Sequence, residues 1–120
     1  MHELGIATRI VEIVKQAAAD NSADRVATVT VEIGRLSGVD SESLEFSFAA
    51  LTKGTELEGA RLIVEEERPR AKCRQCGGEY EVDLSDFRCR ACGSSSFDVI
   101  SGMDVYVKQV EVESGEEGRS

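Results

Sequence analysis

The sequence predicts an α+β fold: a small sheet of about three strands packed with two helices, plus an inserted four-cysteine module. Three observations carry this reading. Two stretches repeat apolar residues every three or four positions, several others alternate apolar with polar residues, and two Cys-x-x-Cys pairs lie in the second half of the chain.

The first helix is expected from Leu4 to Ala19, where Ile6, Ile10, Ile13, Val14 and Ala17 recur at helical spacing until Asp20, Asn21 and Ser22 end it. Residues 25–36 then set Ala27, Val29, Val31 and Ile33 against Thr28, Thr30 and Glu32, the period of a half-buried strand. Ser37-Gly38 turns the chain. Asp40 or Ser41 can cap a second helix built on Leu44, Phe48 and Leu51, with Phe46 and Ala49 beside them, ending near Lys53-Gly54. A second strand follows at about Arg61–Glu67. Pro69 and the basic run from Arg68 to Lys72 mark a boundary, beyond which residues 73–97 are polar and glycine-containing with few core formers. Val99-Ile100 and Met103–Val112 read as further strands, the latter returning to the main sheet.

Composition narrows the function. The 120 residues suit one ordinary domain, or one modest core with a metal-stapled module attached, and exclude a large multi-domain enzyme. Fourteen Lys and Arg against 23 Asp and Glu give a formal net charge of -9, which repels a phosphate backbone and argues against nucleic acid as a partner. No apolar run approaches the roughly 18 residues of a membrane span, and residues 1–25 lack the features of a secretory signal, so a cytoplasmic protein with no membrane partner is expected. In that reducing compartment four cysteines are metal ligands in preference to disulfides.

Cys73-Arg-Gln-Cys76 and Cys89-Arg-Ala-Cys92 are separated by twelve residues, and each is followed by glycine, at Gly77 and Gly93. Two cysteines three apart reach one ion from a tight turn, and the glycine permits the left-handed backbone that aims amide N–H groups at the thiolates. Two such turns complete a tetrahedron, a closed all-sulfur set that suits structural Zn²⁺ and leaves no position for a substrate water. Two disulfides, an iron–sulfur cluster and a redox pair are the competing readings. The reducing compartment disfavours the first and the doubled pattern the last. Between the pairs, Tyr80, Val82, Leu84 and Phe87 are expected to form a small hairpin over the ion. The expected organisation is an α/β domain at 1–69 and 98–112, a zinc-binding domain at 70–97 and a disordered acidic tail at 113–120.

Met1-His2-Glu3 is the second informative place. The plain reading of a lone histidine near a terminus is a solvated side chain. Against it stands a set of donors: the Met1 amine, the His2 and Glu3 amides, the His2 imidazole and the Glu3 carboxylate. Amine to His2 amide closes a five-membered chelate ring, and His2 amide to Nδ1 a six-membered one, giving a nitrogen-rich set that Ni²⁺ or Cu²⁺ accepts. Imidazole with carboxylates and water would instead favour octahedral Ni²⁺.

Met-His-Glu-Leu at the start, Gly34-Arg-Leu-Ser-Gly-Val-Asp40-Ser-Glu-Ser-Leu44 and the paired Cys-x-x-Cys-Gly together resemble the hydrogenase nickel-incorporation proteins of the HypA/HybF family. The resemblance covers the chain to about Val112. It implies a nickel metallochaperone whose first domain holds Ni²⁺ as transferred cargo through His2 and Glu3, with Asp40 placed near that site, and whose Cys73, Cys76, Cys89 and Cys92 hold Zn²⁺. It also implies two partners, the hydrogenase large-subunit precursor and the nickel-binding maturation GTPase. Oligomeric state, monomer or homodimer, is left open. The alternative is a zinc-ribbon protein-interaction adaptor without nickel transfer. An enzyme is not expected, since the closed sulfur set, the single histidine and the lack of a nucleophile–base arrangement leave no catalytic constellation.

Overall fold

The computed structural model describes residues 2–113. Of the acidic tail expected at 113–120, residues 114–120 lie outside the described residues. The chain runs α1 (His2–Asp20), β1 (Arg25–Gly34), α2 (Ser41–Thr52), β2 (Arg61–Glu67), β3 (Arg70–Cys73), β4 (Glu79–Glu81), β5 (Phe97–Ser101) and β6 (Val105–Glu113). Two three-stranded sheets result, in the orders β2-β1-β6 and β4-β3-β5. Among the described residues no helix is long and apolar enough to cross a membrane.

The chain divides into two compact units, residues 1–32, 39–65 and 105–120, and residues 33–38 and 66–104. In the first, α1 packs on α2 and on β6. The buried stripe of α1 is Ala7, Ile10, Val11, Val14 and Ala18. It is rotated from the expected one, leaving Ile13 42 % exposed. The small Ala7 and Ala18 let the helix approach its neighbours closely, which periodicity alone does not reveal. Val29, Val31 and Ile33 of β1 are buried, as are Leu44 and Phe48 of α2. Leu57 is fully buried as well, although it sits in the turns between α2 and β2, where Thr55 Oγ1 accepts its N–H. On the sheet, the Tyr106 hydroxyl donates to Glu32 and Lys108 Nζ reaches Glu65 at 2.8 Å, tying β6 to β1 and to β2.

In the second unit β3 is the central strand, antiparallel to both neighbours, with Ala71 opposite Tyr80 on β4 and opposite Val99 on β5. The strand at 97–101 therefore pairs with β3, whereas residues 98–112 were expected to belong with the main sheet. Only β6 joins that sheet. Alternation identifies a strand without naming its partner. Here the Phe97 end of β5 is held against Cys73, and Phe97 stacks on Phe87 with ring centroids 5.6 Å apart. The span between the cysteine pairs also differs from the expected hairpin. Its residues 79–81 pair with β3, and a tight turn bridging Asp83 and Asp86 follows.

Candidate metal centre

The two cysteine turns are built alike. Gly77 N donates to Cys73 O at 2.9 Å and Gly93 N to Cys89 O at 2.8 Å, while Cys73 N donates to Gly78 O and Cys89 N to Ser94 O, both at 2.9 Å. Gly77 and Gly93 take φ values of 79° and 77°, the left-handed region in which a side chain costs roughly 1 kcal/mol or more. The arginine after the first cysteine of each pair anchors its turn: Arg74 meets Asp98 at 2.6 Å and Arg90 meets Asp83 at 3.6 Å. These pairs are exposed, so they orient the turns more than they stabilise them.

The four Sγ atoms, on Cys73, Cys76, Cys89 and Cys92, all lie within 4.8 Å of one another. Cys73 and Cys92 approach to 3.5 Å and Cys76 and Cys89 to 3.7 Å, and all four are free thiols. A tetrahedral ion with ligands at about 2.3 Å sets its sulfurs about 3.8 Å apart, so the spacing fits a four-thiolate metal. Cys73 and Cys89 are buried and Cys76 and Cys92 exposed, which puts one inner and one outer sulfur on each turn.

Backbone donors prepare the sulfurs for charge. The N–H groups of Cys76 and Gln75 point at Cys73 Sγ at 3.5 and 3.4 Å. Led by the Cys76 N–H, and helped by hydrogen bonds from Gln75, Cys92 and Cys76 itself, they pull the Cys73 thiol down to about 6 against the burial that opposes ionisation. At Cys92 the Ser94 N–H favours the thiolate, but the hydrogen bond shared with Cys73, burial, and contacts with Cys89 and Cys76 together push it up to about 12. Four thiolates this close cannot all carry charge without a cation among them. Tyr80, whose hydroxyl donates to Phe87 O at 2.7 Å, is raised by burial and by the nearby cysteines.

At the other candidate site, the carboxylate of Glu3, in the first turn of α1, accepts from the Asp40 N–H at 3.0 Å. That bond, aided by Glu3's own backbone N–H, holds the Glu3 carboxyl below its usual range. Asp40 is the N-cap of α2, and its Oδ2 accepts from Ser43 N at 3.1 Å and Ser43 Oγ at 2.6 Å. The structure therefore brings Glu3 and Asp40 together across 37 positions of sequence. Met1 and the side chain of His2 lie outside the described residues, and with them the amine and imidazole named above. Among the described residues the cysteines are the one group of three or more side chains placed to hold a metal ion. The family resemblance placed Asp40 near the nickel donors, but not the bond from its N–H to the Glu3 carboxylate, and the arginine anchors, whose signal was the repeated Cys-Arg, were missed.

Residues 1–112 match the family model for the HypA hydrogenase/urease nickel-incorporation metallochaperones. Among curated proteins, the chain is 44 % identical over 113 residues to the hydrogenase maturation factor HypA of Geobacter metallireducens, and 42 % identical to that of Geotalea uraniireducens. Each alignment covers 94 % of this chain and 100 % of the relative. Among solved structures, the solution structure of the Ni metallochaperone HypA from Helicobacter pylori shares its fold at a TM-score of 0.71 and 18 % identity, covering 93 % of this chain and 97 % of that one.

Proposed function

The chain belongs to the HypA family of hydrogenase/urease nickel-incorporation metallochaperones, and from that premise we propose that its amino-terminal segment carries Ni²⁺ to the large-subunit precursor of a nickel–iron hydrogenase. The observation that carries this reading is the span of the family match, which runs from residue 1 to 112 and so includes both the Met-His-Glu start and both cysteine pairs. The protein acts in the cytoplasm, with the nickel-binding maturation GTPase as its second partner.

The four cysteines hold Zn²⁺, the cation that their number, sulfur chemistry and spacing suit. When bound, the ion cross-links the two turns, and it takes no part in nickel transfer. Cys73 supplies a thiolate already favoured at neutral pH, and the remaining thiols shed protons as the site fills.

Nickel is held through His2 and Glu3. The N–H groups of a helix's first turn have no intrahelical acceptor, so the His2 and Glu3 amides can release their protons to solvent and coordinate without loss of helical bonds, Glu3 giving up the hydrogen bond to its own carboxylate. Those amides sit at the positive end of the α1 dipole, which opposes a cation and keeps the site loose enough to release its cargo. The oxygens at the junction are partly committed, Glu3 Oε2 to the Asp40 N–H and Asp40 Oδ2 to Ser43. The donors left are mainly nitrogens, and Asp40 supports the site by fixing the loop against Glu3. Incoming ligands of the partner replace the His2 imidazole step by step.

Isothermal titration of the zinc-loaded protein with Ni²⁺ tests the reading. About one ion should bind per chain, and binding should vanish in His2→Ala together with hydrogenase maturation in cells. Equal binding by both proteins, or by neither, would return the chain to a zinc-ribbon adaptor role.

A further inference from the structure

The two cysteine turns present their sulfurs unequally. Cys73 and Cys89 are 1 % and 4 % exposed, while Cys76 and Cys92 lie at the surface. Beside the outer pair the chain carries little bulk: Cys76 is followed by Gly77-Gly78, and Cys92 stands between Ala91 and Gly93. A β-carbon added to Gly77 or Gly93 would meet no atom within 4 Å, so open space adjoins both outer cysteines and a small reagent can approach them. Each outer sulfur also has an inner one of the opposite turn in contact with it, Cys73 at 3.5 Å from Cys92 and Cys89 at 3.7 Å from Cys76. A surface sulfur in contact with a protected one is the arrangement in which oxidation begins outside and is resolved from within.

We propose that Cys76 and Cys92 are modification sites for small hydroperoxides, each oxidised first and then captured by the buried cysteine of the opposite turn, to give the disulfides Cys73–Cys92 and Cys76–Cys89. At Cys92 a sulfur electron pair attacks one peroxide oxygen. The S–O bond forms, the O–O bond breaks, and with hydrogen peroxide the departing hydroxide takes up a proton and leaves as water. The Cys73 sulfur then attacks the sulfenic acid on Cys92. The S–S bond forms, the S–O bond breaks, and a second water leaves with a second proton. Those protons come from the thiols, or from solvent where the sulfurs are already thiolates. Two electrons pass from the sulfur pair to each peroxide, and the sulfurs close from 3.5 Å to a bond of about 2.05 Å.

Pairing across the turns decides what oxidation does to the fold. A bond within either turn would leave the two turns unconnected once their ligands are spent. Bonds between them keep the second turn tied to the end of β3, so the site gives up its ion and holds its shape, and reduction returns four ligands in place. Loss of an ion rests on the zinc reading above, whereas the pairing rests on the sulfur contacts alone.

The test treats the full-length, zinc-loaded protein with hydrogen peroxide, blocks the remaining thiols with N-ethylmaleimide and digests it with trypsin. Cleavage after Lys72, Arg74, Arg88 and Arg90 puts each cysteine on its own peptide, so mass spectrometry reads the pairing directly. The peptide Cys73-Arg74 should be linked to the one carrying Cys92, and Cys89-Arg90 to the one carrying Cys76, with both links removed by dithiothreitol. Dimedone present during oxidation should label the peptides of Cys76 and Cys92, and a chromogenic chelator should detect about one Zn²⁺ freed per chain. Links within a turn, sulfinic or sulfonic acids in place of disulfides, dimedone on Cys73 or Cys89, or four thiols left unoxidised would each overturn the proposal. Links across the turns with no zinc freed would uphold it and sink the zinc reading instead.

Discussion

Ser22 is the one non-glycine residue with positive φ among the described residues, at 52°. It sits where α1 stops: Ala23 N donates back to Ala18 O at 2.9 Å and Ser22 N to Ala19 O at 3.1 Å, a closure that needs a left-handed residue just past the last turn. The sequence reading placed the end of the helix at Asp20, Asn21 and Ser22 without choosing among them. Asn21, the usual occupant of such a position, instead spends its side chain on Ala17 O at 2.8 Å. Replacing Ser22 by glycine removes the β-carbon clash while loosening the unfolded chain, and the first effect is the larger. Ser22→Gly should raise stability by roughly 0.5–1 kcal/mol, read as a melting temperature a few degrees higher. A melting temperature unchanged or lowered would show that the strain is not there to relieve. Asp40 gives a second lesson at this scale. Its two sequence-derived roles, helix cap and neighbour of the nickel donors, compete for the same carboxylate, and the structure spends Oδ2 on the cap.

Gly34 ends β1 where its backbone meets the chain leaving β5. Its N–H donates to Asp104 O at 2.8 Å, Leu36 N donates to Gly102 O at 2.8 Å, and a β-carbon on Gly34 would overlap the Gly102 carbonyl. Only glycine allows two backbones so close, and no flexible side chain is there to give way. Gly34→Ala should therefore cost about 2 kcal/mol or more in urea denaturation, well beyond the propensity difference between the two residues. A loss under about 0.5 kcal/mol would mean that the two segments part without penalty. The same region marks how far the elements could be read from sequence. Alternation at Val29, Val31 and Ile33 and the span Arg61–Glu67 were legible because a strand's period is local, as were α2 and its limits. The partner of residues 97–101 was not, since pairing is decided by register and packing far along the chain. Leu57 was hidden because a buried residue inside a turn has no period to reveal it. The cysteine site was the most legible feature, its ligands being fixed by two short spacings. The approach of Asp40 to Glu3, 37 positions away, was legible only through the family resemblance, since no local spacing announces it.

The two units draw on different sources of stability. Residues 1–32, 39–65 and 105–120 bury Ile10, Val14, Val29, Val31, Leu44, Phe48 and Leu57, enough apolar surface to organise two helices and a sheet. The unit of residues 33–38 and 66–104 buries little besides Ile33, Pro69, Ala71, Val82 and the cysteines Cys73 and Cys89, so two of its core residues are candidate ligands themselves. Its order must depend on the ion far more than that of its neighbour. Stripping the metal with a strong chelator should lower amide-exchange protection in β3, β4 and β5 by roughly tenfold or more while that of α1 and α2 is unchanged. Simultaneous loss of both would show that the units fold as one. The proton count on reloading carries the argument to the thiols. Without metal, Cys73 ionises at about 6 in the folded chain against 9.0 ordinarily, so its thiolate favours the folded state fully above pH 9.0 and stops doing so as pH falls through about 6. Cys92 is shifted the other way, to about 12, and keeps its proton at neutral pH. At pH 7 the Cys73 sulfur has thus already shed most of its proton. Titrating the folded metal-free protein with Zn²⁺ in weak buffer should release fewer than four protons per ion, and the number should rise toward four as the starting pH drops below about 6. A release of four protons already at pH 7 would mean that the backbone N–H groups of Gln75 and Cys76 orient the Cys73 sulfur without lowering the cost of its charge.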